Sequence, residues 1–201
     1  RKMNFEKVVL YGINKRGLTS KMEIEEFTEL INMTDISAPA VLKQRLKLNS
    51  EIYLDMMREN LKGFYTEFKS EVKLFHGYIL VAIDGSDFEI PNSKKTREKF
   101  NELHPNESVA RATISNMYDT LNHYIMDTII DKYDASERKM ARQNINNIKE
   151  LNLPYPIIRT MDRGYTSLPD MYYSIKNNDK FVVRLQAKDS VSYTHLTLPT
   201  K

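Results

Sequence analysis

The chain has 201 residues, with 30 Lys and Arg against 27 Asp and Glu for a formal net charge of +3, and it contains no cysteine. That length and composition suit one globular domain or a small pair. They exclude disulfides and thiolate metal sites, the apolar runs are too short to span a bilayer, and a charge this near balance makes no case for nucleic-acid binding without a local patch. The first ten residues carry basic groups but no long apolar run, so they do not read as a signal peptide. Together with the missing cysteines this leads us to expect a cytoplasmic protein with no membrane partner.

In chain order, the first periodic segment is 19–33, TSKMEIEEFTELINM. It predicts a helix with Met22, Phe27, Leu30 and Ile31 on one face and Thr19 or Ser20 as N-cap. A break at 34–36 precedes SAPAVLKQRLK, which starts a second helix with Ser37 as N-cap and Pro39 in the first turn. Two short helices around a tight break fit a helix-turn-helix with Lys43, Gln44, Arg45 and Lys47 facing DNA; they equally fit two helices of a small bundle. A third helix over about 50–68 carries Ile52, Leu54, Met57, Leu61 and Phe64.

The texture then changes. Residues 78–83 read as a strand, and 92–108 as a polar, mostly basic connection. Residues 110–121 and 123–130 read as a hairpin around Asn122. A helix over 136–149 shows Met140, Ile145 and Ile148 on its apolar face. A strand at 156–162, a helix at 168–175 begun by Pro169, and a last strand at 180–185 follow. Three strands, then alternating helices and strands, predict an α/β fold of the α+β kind: a mixed sheet covered by helices.

Asp84 directly follows the apolar run ILVAI, and Asp162 ends the strand IIRTMD. In sheets with helices on their faces, sites gather beyond strand ends. Two carboxylates brought there repel unless a divalent cation lies between them. Mg²⁺, or Mn²⁺ in its place, prefers such oxygen ligands and supports phosphoryl transfer. Taken alone, Asp84-Gly85 is also a turn dipeptide. Asp87 and Glu89 read as solvated or structural. Arg163 fits a phosphate contact or a surface ion pair. Lys94, Lys95, Arg97 and Lys99 fit a DNA backbone contact or a solvated face. Glu137 and Arg138 read as ordinary helix-start residues, and His76, His104 and His123 as structural.

The segments VAIDGSDFEIP, ATISNMYDTLNHYIMDTIID, SERKMA and TMDRGYTSLPDMYYSIKNNDKFVVRL resemble the DDE transposases of bacterial insertion sequences, the type numbered four. The resemblance covers about residues 30–190 and is most specific in DGSDFEIP and in DRGY followed by FVVRL. It implies a ribonuclease H-like catalytic core, with Asp84 and Asp162 as the first two catalytic, metal-binding acids. It also implies Mg²⁺-dependent DNA cleavage followed by strand transfer, with element ends and target DNA as partners and a homodimer for the longer protein. The family's third acid is a Glu in a tyrosine–arginine–glutamate–lysine signature, which this sequence lacks.

Residues 191–200 carry no Asp, Glu, Lys or Arg and resemble translated adapter sequence. We therefore expect a helical region at 1–75, a partial catalytic domain at 76–190, a non-native tail at 191–201 and a chain inactive without the third acid. A non-catalytic DNA-binding module and a metal-dependent nuclease are the competing readings.

Overall fold

A computed structural model describes residues 3–33, 36–165 and 167–184, apart from the side chain of Arg163. The tail expected at 191–201 lies outside the described residues. The chain divides into two compact units between Met57 and Arg58.

The first unit is helical, with α1 at Phe5–Ile13, α2 at Ser20–Leu30 and α3 at Ala38–Arg45. Met3, Val8, Tyr11, Ile24, Phe27 and Val41 form its core, with the Tyr11 and Phe27 rings edge to face at 5.4 Å. The Asn4 side chain caps α1 and the Thr19 side chain caps α2, each accepting from a first-turn N–H that no helical carbonyl reaches. Two expectations change here. The sequence reading has no helix before residue 19, yet α1 supplies Val8 and Tyr11 to the core. The buried face of α2 is also rotated: Ile24 and Phe27 point inward, while Met22 and Leu30 are exposed. Glu23 is buried on that inner side because its Oε1 accepts from the N–H groups of Arg16, at 2.9 Å, and Leu18, at 2.8 Å. A carboxylate satisfied in this way can lie on a buried face that apolar periodicity alone assigns to hydrophobes.

A long helix, α4 at Glu51–Glu67, spans the division. In the second unit it gives Leu61 and Tyr65 to the main core.

That unit is built on one five-stranded sheet of β1 (Ile79–Glu89), β2 (Arg111–Asp119), β3 (Tyr124–Lys132), β4 (Ile157–Met161) and β5 (Lys180–Val183), ordered β3-β2-β1-β4-β5. β1, β2 and β3 pair antiparallel; β4 lies parallel to β1, and β5 parallel to β4. The parallel strands need crossovers, and helices α6 (Glu137–Glu150) and α7 (Leu168–Lys176) lie in those connections. This is a mixed α/β arrangement with helices in the parallel crossovers. One expected loop is helical: within 92–108, α5 spans Lys94–Phe100, started by a reciprocal capping box between Ser93 and Thr96.

The main core joins one sheet face to α6. Ile79, Val81, Ile83, Met117 and Met126 meet Ala141, Ile145 and Ile148, and burying each larger side chain contributes about 1.5–3 kcal/mol. Polar groups inside are paired. Asn144 accepts from Ser115 Oγ at 2.7 Å and donates to Asp127 Oδ2 at 3.0 Å. Those bonds fix how α6 sits along the sheet, and so where its first turn falls.

Candidate active site

β1 does not end at Ile83 as its apolar run suggests. It continues to Glu89 because β2 pairs with it all the way, from Val81↔Asp119 to Glu89↔Arg111. β4 leaves earlier. Its pairing with β1 runs from Ile79↔Ile157 to Ile83↔Met161. Asp84 and Asp162 are therefore each the next residue after the same last pair, on neighbouring parallel chains about 4.8 Å apart where they are still paired. Both are exposed.

Asp84-Gly85 is not a turn. Gly85 sits in the ladder opposite Ser115. A Cβ built on it would lie 2.7 Å from Glu137 Cδ and 2.8 Å from Glu137 Cγ. Gly in a strand often marks such a close approach. Glu137 opens α6, so the first turn of that helix rests on β1 at Gly85.

Tyr165 closes the other side. It ends the short 3-10 turn Arg163–Tyr165, and its N–H donates to the Asp162 carbonyl at 3.0 Å. Its side chain is buried, and its hydroxyl lies near Glu137 without closing a hydrogen bond of normal geometry. Burial chiefly, then the charges of Glu137 and Asp84, push its pKa above the usual tyrosine value. Arg138 Nε donates to the Gly164 carbonyl at 3.2 Å, tying the start of α6 to the same turn.

The other predicted residues fall elsewhere. Lys94, Lys95 and Arg97 share α5; Lys94 pairs loosely with Glu98 at 3.8 Å and Arg97 donates to Asn92 at 2.6 Å. Lys43 and Arg45 are exposed in the last turn of α3, in the first unit. The Arg163 side chain lies outside the described residues. Thr113 Oγ1 donates to Asp87 Oδ1 at 2.5 Å, and the exposed Glu89 stands 3.8 Å from Arg111. His104 contacts Asp134 at 3.1 Å and His123 contacts Tyr118 at 3.0 Å. The sequence reading gave Glu137 no place near the site. The one sequence signal for it was a glycine directly after a strand aspartate, which also fits a turn.

Carboxylates delivered in register by two strands make an oxygen donor set suited to a hard divalent cation with several waters. Among the described residues no group of three His, Cys, Asp or Glu side chains is close enough to hold a metal ion by itself.

Residues 75–198 match the family described as the transposase DDE domain. The chain belongs to that family. No curated protein matches it. Among solved structures, a cryo-EM structure of a piggyBac transposase synaptic complex with hairpin DNA aligns at 12% identity with a TM-score of 0.42. The alignment covers 99% of this chain and 46% of that one, so this chain spans less than half the length of that transposase. Among the described residues no helix is long and apolar enough to cross a membrane.

Proposed function

We propose that this DDE domain serves an insertion-sequence transposase, with Asp84 and Asp162 holding Mg²⁺ or Mn²⁺ against a DNA phosphate. The observation that carries the reading is their shared position: each follows the last register pair of β1 with β4, at the point where the two chains part. A divalent cation there would supply charge stabilisation at the scissile phosphate and lower the pKa of an attacking water or 3′-hydroxyl. The protein's part is to hold two oxygen ligands on a rigid sheet and leave the remaining positions to water and substrate.

Arg163, next to Asp162 in the chain, is assigned to a phosphate oxygen. Lys94, Lys95 and Arg97, with Lys43 and Arg45 in the helical unit, are assigned to the DNA backbone. Such contacts release counterions, so affinity falls as salt rises. The family's third acid, the Glu of the tyrosine–arginine–glutamate–lysine signature, is missing from this sequence. We expect the chain alone to be inactive in cleavage and strand transfer.

The test is Mg²⁺-dependent cleavage and joining of DNA carrying the element ends. It compares this chain, a longer chain that includes the Glu-bearing segment, and Asp84→Asn and Asp162→Asn in the longer chain. Cutting and joining by the longer chain only, lost in both variants, is the expected result. Cutting without joining favours a nuclease. DNA binding with no cutting by any of the proteins favours a binding module. Undiminished cutting by either Asp variant shows that the acids are wrongly chosen.

A further inference from the structure

We propose that a cavity in the second unit, at the end of the sheet away from Asp84 and Asp162, binds a small carboxylate with an apolar body. The inference does not depend on the assignment of the two aspartates.

Asp162 follows the last residue of β4, whereas the cavity lies at the first. Its lining includes Tyr78, Tyr155 and Ile157 at the sheet end, with Ile145 and Ile148 from the C-terminal half of α6. From Ile157 to Asp162 the extended chain runs about 16 Å at the usual strand rise. The cavity volume is about 440 Å³, within the range of about 300–1,000 Å³ in which small-molecule sites fall. Walls of this kind take an apolar body.

The polar edge of the cavity has a surplus of positive charge. Lys149, Arg159 and Asp179 line it. Arg159 pairs with Val81 in the ladder and so lies on the sheet face that α6 covers, where it is 4% exposed. Its guanidinium donates to the Ser174 hydroxyl and stands 3.5 Å from Asp179 Oδ2, while Lys149 Nζ stands 2.6 Å from Asp179 Oδ1. Two cations therefore share one carboxylate. The next acid, Asp170, is matched by Arg142. Lys180 also edges the cavity, but it pairs with Ile158, so strand alternation turns its side chain to the opposite sheet face.

The pairing is incomplete as well. Arg159 Nε and Asp179 Oδ2 are buried with no hydrogen-bond partner among the described residues, whereas buried charges ordinarily have theirs. A ligand carboxylate that takes Lys149 balances the surplus charge. It also frees Asp179 to close on the Arg159 guanidinium as a two-bond pair, which satisfies both orphaned atoms. A neutral ligand brings no charge, and inorganic phosphate brings no apolar body.

The experiment is a methyl NMR titration of the 201-residue chain with isotope-labelled isoleucine. The probe is naphthaleneacetate, with naphthaleneethanol as the same body without the charge and inorganic phosphate as charge without the body. Naphthaleneacetate is expected to shift the Ile145, Ile148 and Ile157 signals with a dissociation constant of about 1 mM or tighter. Naphthaleneethanol should bind at least about tenfold more weakly, and phosphate should leave those signals unmoved. Lys149→Gln should bring the acid down to the affinity of the alcohol and leave the alcohol unchanged. Ile157→Phe, which fills part of the cavity, should weaken both; it keeps the test open if Lys149→Gln does not fold. Unmoved isoleucine signals at saturating naphthaleneacetate mean that the cavity holds only water, and they overturn the proposal. Equal affinity for acid and alcohol overturns it too, as does a preference for the acid that survives in Lys149→Gln.

Discussion

Ile79–Ile83 and Asp84–Glu89 form one continuous strand in two different surroundings. The first half lies between β2 and β4, and Ile79, Val81 and Ile83 are buried against α6. The second half keeps β2 but has no β4 beside it, and Asp84, Ser86, Asp87 and Glu89 are exposed. The backbone is equally regular in both. The difference is the parallel neighbour, whose departure opens one edge of the strand where the acids begin. A central strand thus supplies the rigidity and its freed half the access, which lets a site be both fixed and reachable.

The sharpest way to break this comparison is to neutralise the acids at the junction. Asp84→Asn and Asp162→Asn, in a chain carrying the third Glu, should each lower Mg²⁺-dependent cleavage by at least about 100-fold. Both positions are exposed, so the circular dichroism spectrum should stay that of the wild type.

The next effect separates the halves by stability. Ile83→Ala removes buried methyl groups from the core and should cost about 2–5 kcal/mol in urea unfolding. Ser86→Ala, three residues on in the opened half, should stay within about 0.5 kcal/mol. Equal losses at the two positions would mean that the second half is as enclosed as the first.

A smaller effect probes the first half from the side. Asp119, paired with Val81 across the ladder, is fully buried. It accepts from the Tyr65 hydroxyl, from the N–H groups of Leu121 and Asn122, and from the Asn122 side chain. Tyr65→Phe removes one donor from a buried carboxylate and should cost about 1–3 kcal/mol.

The last effect is seen against pH. Tyr65 has its pKa raised, chiefly by burial and then by the hydrogen bond to Asp119, and Tyr165 has its pKa raised by burial and then by Glu137. Both folded values lie above the unfolded value of about 10, so the folded state keeps these protons longer. Their contribution is fully present below about pH 10 and is lost as pH rises toward the folded values, by up to about 1.4 kcal/mol per pH unit for each tyrosine. Unfolding free energies at pH 8, 10 and 11 check this. Tyr65→Phe should flatten the fall.

Much of the fold could be read from the chain. The hairpin around Asn122, the helix carrying Met140, Ile145 and Ile148, and the later alternation of strands and helices all match the structure, because each rests on a local period. The failures were nonlocal or very short. Helix α1 was passed over because its apolar residues matter only against Phe27 and Val41. Helix α5 has seven residues, none of them buried, and a capping box is its main local signal. The inner side of α2 was misplaced because Glu23 is satisfied by backbone outside its own helix.

The site divides in the same way. Apolar alternation followed by an acid is a property of neighbouring residues, so Asp84 and Asp162 stood out as strand-end carboxylates from the sequence alone. Their side-by-side placement came from the parallel register of β1 with β4, which depends on packing across the whole sheet. The position of Glu137 over Gly85 came from where α6 is locked onto that sheet by Asn144, Ser115 and Asp127. Local periodicity follows from bonds between residues near in the chain, whereas register and helix placement follow from contacts between residues far apart in it. The types of residue that make the site were therefore visible in sequence order, and only the tertiary structure decided which of them meet.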